Sequence, residues 1–253
     1  TDADDLVAVL KLPEIFGVKA EEGADYGQKN HEAMLDGASG AAWTTAVAQI
    51  YAPERLMPEF TQNFAAALAE THTDLKPVIA FFGSDLGAQA TALEISARRA
   101  ILDPDVEDAS RLTLEEMRAE ENPRLGLIET FVKVNDLVES NVSNGLNANL
   151  AFYQGLRDAG AIGPEMSESD VLAEVWSQEE AIRAETDIWV NAYLTMAYAP
   201  LSEADLGRYI EFTRRPDVRI VNRAMSEAYG KVFTSVSRQL GRAAGAVLAG
   251  QNL

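Results

Sequence analysis

His31 and His72 are the chain's two histidines. His31 opens the run His31-Glu32-Ala33-Met34-Leu35, one residue short of the zinc-protease pattern H-E-x-x-H. Leu35 stands where the second histidine belongs, and that imidazole is indispensable because it supplies the second metal ligand from the same helix face. His31 therefore reads as a surface histidine. Di-iron helical bundles need paired Glu-x-x-His motifs, and the sequence contains none. Ser84, in Gly83-Ser84-Asp85-Leu86-Gly87, lacks the G-x-S-x-G spacing of a nucleophile elbow, and helix capping accounts for it better. The acidic pairs Glu115-Glu116, Glu120-Glu121 and Glu179-Glu180 are adjacent. Neighbours in a helix do not face each other, so they read as solvated faces rather than acid/base dyads. With no cysteine, thiolate metal sites, disulfides and cysteine nucleophiles are excluded. The residues call for no cofactor and no metal.

The unusual polar feature is on the segment after Asn122-Pro123. Ile128, Phe131, Val138, Val142, Leu146, Tyr153 and Leu156 make an apolar stripe at helical spacing. Asn135, Glu139 and Asn149 fall within or beside it. Buried polar groups need partners. These three either line a pocket for a polar ligand or clamp the helix to its neighbours.

The surrounding elements read as helices almost throughout, because capped 3.6-period segments cover the chain and alternating strand patterns are nearly absent. Helices are expected over Leu6–Leu12, from Pro13 to about Leu35 with Glu21, Glu22, Asp25 and Lys29 on its polar face, through Trp43 until Pro53, and over Leu56–Glu70. Asp36 to Gly40 reads as a turn, with Ser39 as cap of the Trp43 helix. Asn122-Pro123 opens a spine helix to about Ala159, about 50 Å long at 1.5 Å per residue. Ser167-x-x-Asp170 and Ser202-x-x-Asp205 read as helix starts, the first for a helix that bears Trp176 and runs on to Met196. The last helix runs from Pro216 to about Ala249.

Two stretches echo each other. Leu75–Arg98 and Leu206–Tyr229 align without gaps, placing Leu75 on Leu206, Ile79 on Ile210, Phe81 on Phe212 and Asp85 on Pro216. Both read as helix, tight corner, helix. Gly83 can end the first arm with positive φ, and Ser84 caps the second. Pro216 takes the first helical position, where its missing N–H costs nothing. Trp43 and Tyr51-Ala52-Pro53 are echoed by Trp189 and Tyr198-Ala199-Pro200. A rival reading makes Val78–Phe82 a strand leading to a phosphate loop. The glycine spacing, the negative Asp85 and the lack of partner strands count against it.

The expected fold is thus all-α: one irregular multi-helix bundle over residues 1–253, with two pseudo-repeated halves, about 40–103 and 186–250, joined by the long spine helix. Net charge is −19, and hydrophobic residues make up 47%. An acidic chain is a poor binder of nucleic acid or anionic membrane. Residues 207–243 nevertheless carry a local +5, giving an acidic body with a basic C-terminal hairpin. No apolar run reaches the ~18 residues of a membrane span. The chain starts Thr1-Asp2-Ala3 without Met, as expected of a mature product after removal of a signal peptide.

At the corners the chain resembles the bacterial family called domain of unknown function 2059. Its pattern sets an aromatic pair, a Ser, a Pro and a Gly at a helix corner, after a Leu-x-x-x-Ile-x-x-Phe arm. Phe81, Phe82, Ser84 and Gly87 match in the first copy, with Asp85 where Pro is usual; Phe212 and Pro216 match in the second, where Arg215 and Val218 replace Ser and Gly. The resemblance implies a helical, exported, periplasmic protein and carries no catalytic residues. The expectation is a protein that acts by binding or assembly, with a protein partner or a second copy. The alternatives are a small-ligand carrier with its pocket beside Asn135, Glu139 and Asn149, and a hydrolase of unrecognised type.

Overall fold

The computed structural model describes residues 1–35 and 40–250, apart from the side chain of Asn30. The expected turn after Leu35 and the Ser39 cap lie outside the described residues. The architecture is all-α, with thirteen helices and no strand among the described residues: α1 Asp2–Val9, α2 Leu12–Met34, α3 Gly40–Ile50, α4 Pro53–Ala69, α5 Lys76–Phe82, α6 Asp85–Ala100, α7 Pro104–Ala119, α8 Pro123–Val134, α9 Leu137–Asp158, α10 Glu168–Ser177, α11 Glu179–Ala197, α12 Glu203–Thr213 and α13 Pro216–Leu248.

Local chemistry sets most helix starts. Proline opens α4, α7, α8 and α13, where a missing N–H leaves nothing unsatisfied. Thr1 and Ser167 form capping boxes with Asp4 and Asp170, and Ser84 and Ser202 accept from the backbone N–H of Gly87 and Asp205. Each such cap is worth about 1 kcal/mol. Pro53 begins the next helix rather than ending α3, which stops at Ile50.

Three local expectations are corrected. Gly83 keeps a right-handed φ of −81°, so positive φ does not make the first corner. Gly87 makes it, since a Cβ there would overlap the carbonyl of Phe81 and the Cα of Phe82. The spine is not one helix. It breaks between Val134 and Leu137, where Asp136 adopts φ 54°, a left-handed conformation that Asp tolerates better than most residues. Asn135 fixes the break by donating to the carbonyl of Phe131 and to Thr213 Oγ1, a side-chain bond that competes with helix continuation. The helix expected to continue from Trp176 to Met196 also breaks, at Gln178.

The continuous rod is instead α13, 33 residues long and so about 50 Å. It lies along α9 and α4 and buries Val218, Val221, Val232, Val236 and Leu240. Against α9 the two backbones touch. A Cβ on Gly155 would overlap the carbonyl of Arg238, and one on Gly241 would overlap the carbonyl of Phe152. Toward α2 and α4 the core is aromatic, with Phe16, Phe60, Tyr229 and Phe233 in mutual ring contact. The two corners meet face to face. Phe81 and Phe212, paired by the sequence alignment, stack with ring centroids 3.6 Å apart and planes 10° from parallel.

The backbone contact fixes the sign of two substitutions. Alanine is the better helix former by about 1 kcal/mol, yet Gly155→Ala or Gly241→Ala will destabilise by about 1–3 kcal/mol through overpacking. Gly126→Ala, where an added Cβ meets nothing within 4 Å, will stabilise by about 0.5–1 kcal/mol. Urea unfolding of the three variants checks both signs.

Candidate functional site

Asn135, Glu139 and Asn149 are each bonded to partners of their own. Asn135 Oδ1 accepts from Asn222 on α13, completing a bridge between α8, α12 and α13. Glu139 is exposed and pairs with Arg183 of α11, whose hydrogen bonds hold its carboxyl below the usual range. Asn149 donates to Gln178 Oε1 at the α10–α11 break, at 3.1 Å. All three act as clamps between helices. His31 ends α2, and His72 is exposed with φ 52°. Among the described residues no group of three His, Asp or Glu could hold a metal ion.

The charged residues that enter the interior are others, and α6 positions them. Glu94 and Arg98 lie one turn apart on its inward face. Tyr198 and Tyr209 both donate their hydroxyls to Glu94 Oε1, the latter at 3.1 Å, while Tyr193 donates to the Glu94 carbonyl at 2.7 Å. Tyr198 is fully buried at the end of α11, where Arg124 binds its carbonyl and that of Leu201. Burial pushes the Glu94 carboxyl above its ordinary value, against the two tyrosine hydrogen bonds. Burial and the Glu94 charge likewise raise the Tyr198 and Tyr209 hydroxyls.

One turn on, the Arg98 guanidinium grips Glu22 of α2, Nε to Oε1 at 2.5 Å and Nη2 to Oε2 at 3.3 Å. It lies 4.9 Å over the Trp189 ring. Lys19 binds the same carboxylate at 3.0 Å. Burial alone would raise Glu22, but the charges and hydrogen bonds of Lys19 and Arg98 outweigh it and hold the carboxyl near 2. Burial, aided by the Arg98 charge, lowers Lys19 to about 8. Glu22 was expected on a solvated face beside Glu21, Asp25 and Lys29. It is turned inward instead, while Glu21 and Lys29 keep exposed pairs with Arg99 and Asp25. The Glu94 and Arg98 spacing is visible in the sequence, but their partners are 76 to 115 residues away.

Comparison with protein-family models, curated proteins and solved structures found no match to this chain. The arrangement itself therefore carries the functional reading. A raised carboxyl and a lowered amine are ingredients of proton transfer, but Glu94 Oε1 is engaged by two tyrosines and Lys19 by Glu22. The basic hairpin is also largely answered from within: Arg208 pairs with Asp205, Arg214 with Glu211, Arg215 with Asp217, and Arg238 and Arg242 with Asp158.

Among the described residues, a surface feature without such an answer is on α10. Val171 and Val175 hold that helix to Val142 and Leu146 of α9. Leu172 and Trp176, one turn apart on its outer side, are 42% and 63% exposed.

Two measurements test the α6 cluster. Because the folded pKa of Glu94 lies above the unfolded one, the unfolded state loses its proton first. Stability therefore falls as pH rises above the ordinary value of 4.5, until the folded group itself ionises. Glu94→Gln keeps an acceptor for both tyrosines, so its unfolding free energy at pH 7 will exceed wild type and the decline between pH 4 and 7 will flatten. Arg98→Met leaves Glu22 half answered. With side chains still 29% and 23% exposed, the cost will be about 1–3 kcal/mol, between an exposed and a buried pair, measured by urea unfolding at pH 7.

Proposed function

We propose that this chain acts by binding or assembly rather than by catalysis, and that α10 carries its contact surface. The observation behind this reading is the exposure of Trp176 and Leu172 on a helix that is itself anchored by Val171 and Val175. Trp176 is 63% exposed, so covering it removes roughly 100–150 Å² from water, a gross gain of about 2.5–4 kcal/mol. Tryptophan is among the residues that most often dominate interface energetics. The interior groups with shifted titration are by contrast bonded to one another, as clamps are. An exported, periplasmic setting belongs to the same proposal and rests on the corner residues Phe81, Phe82, Ser84, Gly87, Phe212 and Pro216, which resemble domain of unknown function 2059.

A second reading, carriage of a small anionic ligand, is favoured by one specific feature. Glu22 is shared by two cations, Lys19 and Arg98, which leaves a surplus positive charge beside Trp189 and Tyr193. Native mass spectrometry of the protein isolated from its own cells separates the readings. Retained protein partners or multiple copies, lost on Trp176→Ala, support the contact surface. A monomer that keeps a small extra mass, lost on Arg98→Met but not on Trp176→Ala, replaces that reading with carriage.

A further inference from the structure

Asn191 and Thr195 lie one turn apart on α11 and are 2% and 7% exposed. Among the described residues, no hydrogen-bonding atom reaches Asn191 Oδ1 or Thr195 Oγ1. The other buried serine and threonine hydroxyls there, of Thr91, Ser110 and Thr213, each donate to a carbonyl of their own helix. Thr44, Thr45, Thr113 and Thr130 also donate to the carbonyl four residues back. Thr195 departs from this pattern although the Asn191 carbonyl is in the same position for it.

Asn191 is committed on its other side. Its Nδ2 donates to the Asp187 carbonyl at 2.8 Å and to Asp187 Oδ1 at 3.2 Å. Asp187 Oδ2 in turn accepts from Arg118 of α7 at 3.1 Å. Asp187, Asn191 and Thr195 recur every four residues and so form one polar row along α11. The row starts at the surface, where the Asp187 and Arg118 side chains are 47% and 39% exposed, and ends in the interior.

We propose that one internal water bridges Asn191 Oδ1 and Thr195 Oγ1 and completes this row. A carboxamide oxygen requires a donor, and a hydroxyl requires an acceptor. Water is both: it donates to Asn191 Oδ1 and accepts the Thr195 hydroxyl proton. Residues four apart on a helix hold their Cβ atoms about 5–6 Å from each other, a separation that one bridging water spans. Two polar partners are enough to hold a buried water. Two neutral oxygens fall well short of the six or more that a hard cation such as calcium takes. Left unanswered, each buried atom would weaken folding by about fivefold to a hundredfold. The site is on the opposite side of the chemistry from α10: it concerns how α11 is held, and it stands whatever α10 meets.

Two measurements test it. A crystal structure of the full chain will show a water within hydrogen-bonding distance of both atoms. Thr195→Val keeps the shape of the side chain and removes the hydroxyl. Its crystal structure will have lost that water, and its folding equilibrium constant from urea unfolding will fall about three- to tenfold, as loss of a buried hydrogen bond implies. A wild-type structure in which Thr195 turns to the Asn191 carbonyl, or in which nothing lies between the two atoms, overturns the proposal. A larger polar molecule bridging them overturns the assignment to water. A Thr195→Val protein as stable as wild type, or more so, also overturns it, because removing an unanswered buried hydroxyl is neutral or favourable.

Discussion

The close crossing of α9 and α13 is the constraint on which the other contacts depend. At Gly155 and Gly241 the two backbones approach without room for a Cβ, so the helices cannot slide or rotate without steric overlap. Interiors packed at this density transmit such restrictions rather than absorbing them. With α13 fixed against α9, an adjoining side of it presents Tyr229 and Phe233 to Phe16 and Phe60, which draws in α2 and α4. The long final helix is thus the axis of the molecule, in the place where a spine over residues 123–159 was expected.

The second level of organisation is the meeting of the corners and the α6 clusters beside it. Phe81 stacks on Phe212, and Phe82 and Tyr209 meet this stack with their edges or faces. Nonpolar stacking of this kind is tolerant of small rotations. The hydrogen bonds on Glu94 and the charge-assisted ones on Glu22 are less so, because a hydrogen bond weakens steeply as it departs from linear geometry. They tie α6 to α2, α11 and α12 in a single register. Replacing such groups with apolar ones of equal volume is often harmless to stability, so their contribution here is best understood as geometric selection among packings of a chain rich in alanine.

Function on this reading follows from how charge and apolar area are divided between interior and surface. Interior charges find partners within the chain, and most arginines of the C-terminal hairpin find acids close by. Among the apolar groups left outward are Leu172 and Trp176 on the outer side of α10, 42% and 63% exposed. Such a division suits recognition, because rigid anchors lose little conformational entropy on binding. His31 lies in the last turn of α2 and His72 follows α4, and among the described residues no group of three His, Asp or Glu could hold a metal ion.

Sequence alone determined the class and most element boundaries, because those depend on residues within a turn or two of each other. Proline at a first helical position, serine three residues before aspartate, and apolar residues at 3.6-residue spacing are all local statements, and α8, α10, α12 and α13 start where they say. The sequence alignment paired Phe81 with Phe212, but not the contact between their rings. Tertiary structure decided the rest. The spine divides at Asn135 because Thr213 and Asn222, distant in sequence, supply partners that outcompete helix continuation. Glu22 turns inward because Arg98 is there to receive it, whereas periodicity alone grouped it with its solvated neighbours. Trp176 stays outside because Val171 and Val175 claim the face toward α9. A sequence records which side of a helix is apolar; which partner each side meets is a property of contacts made across tens of residues, and that is where the site was decided.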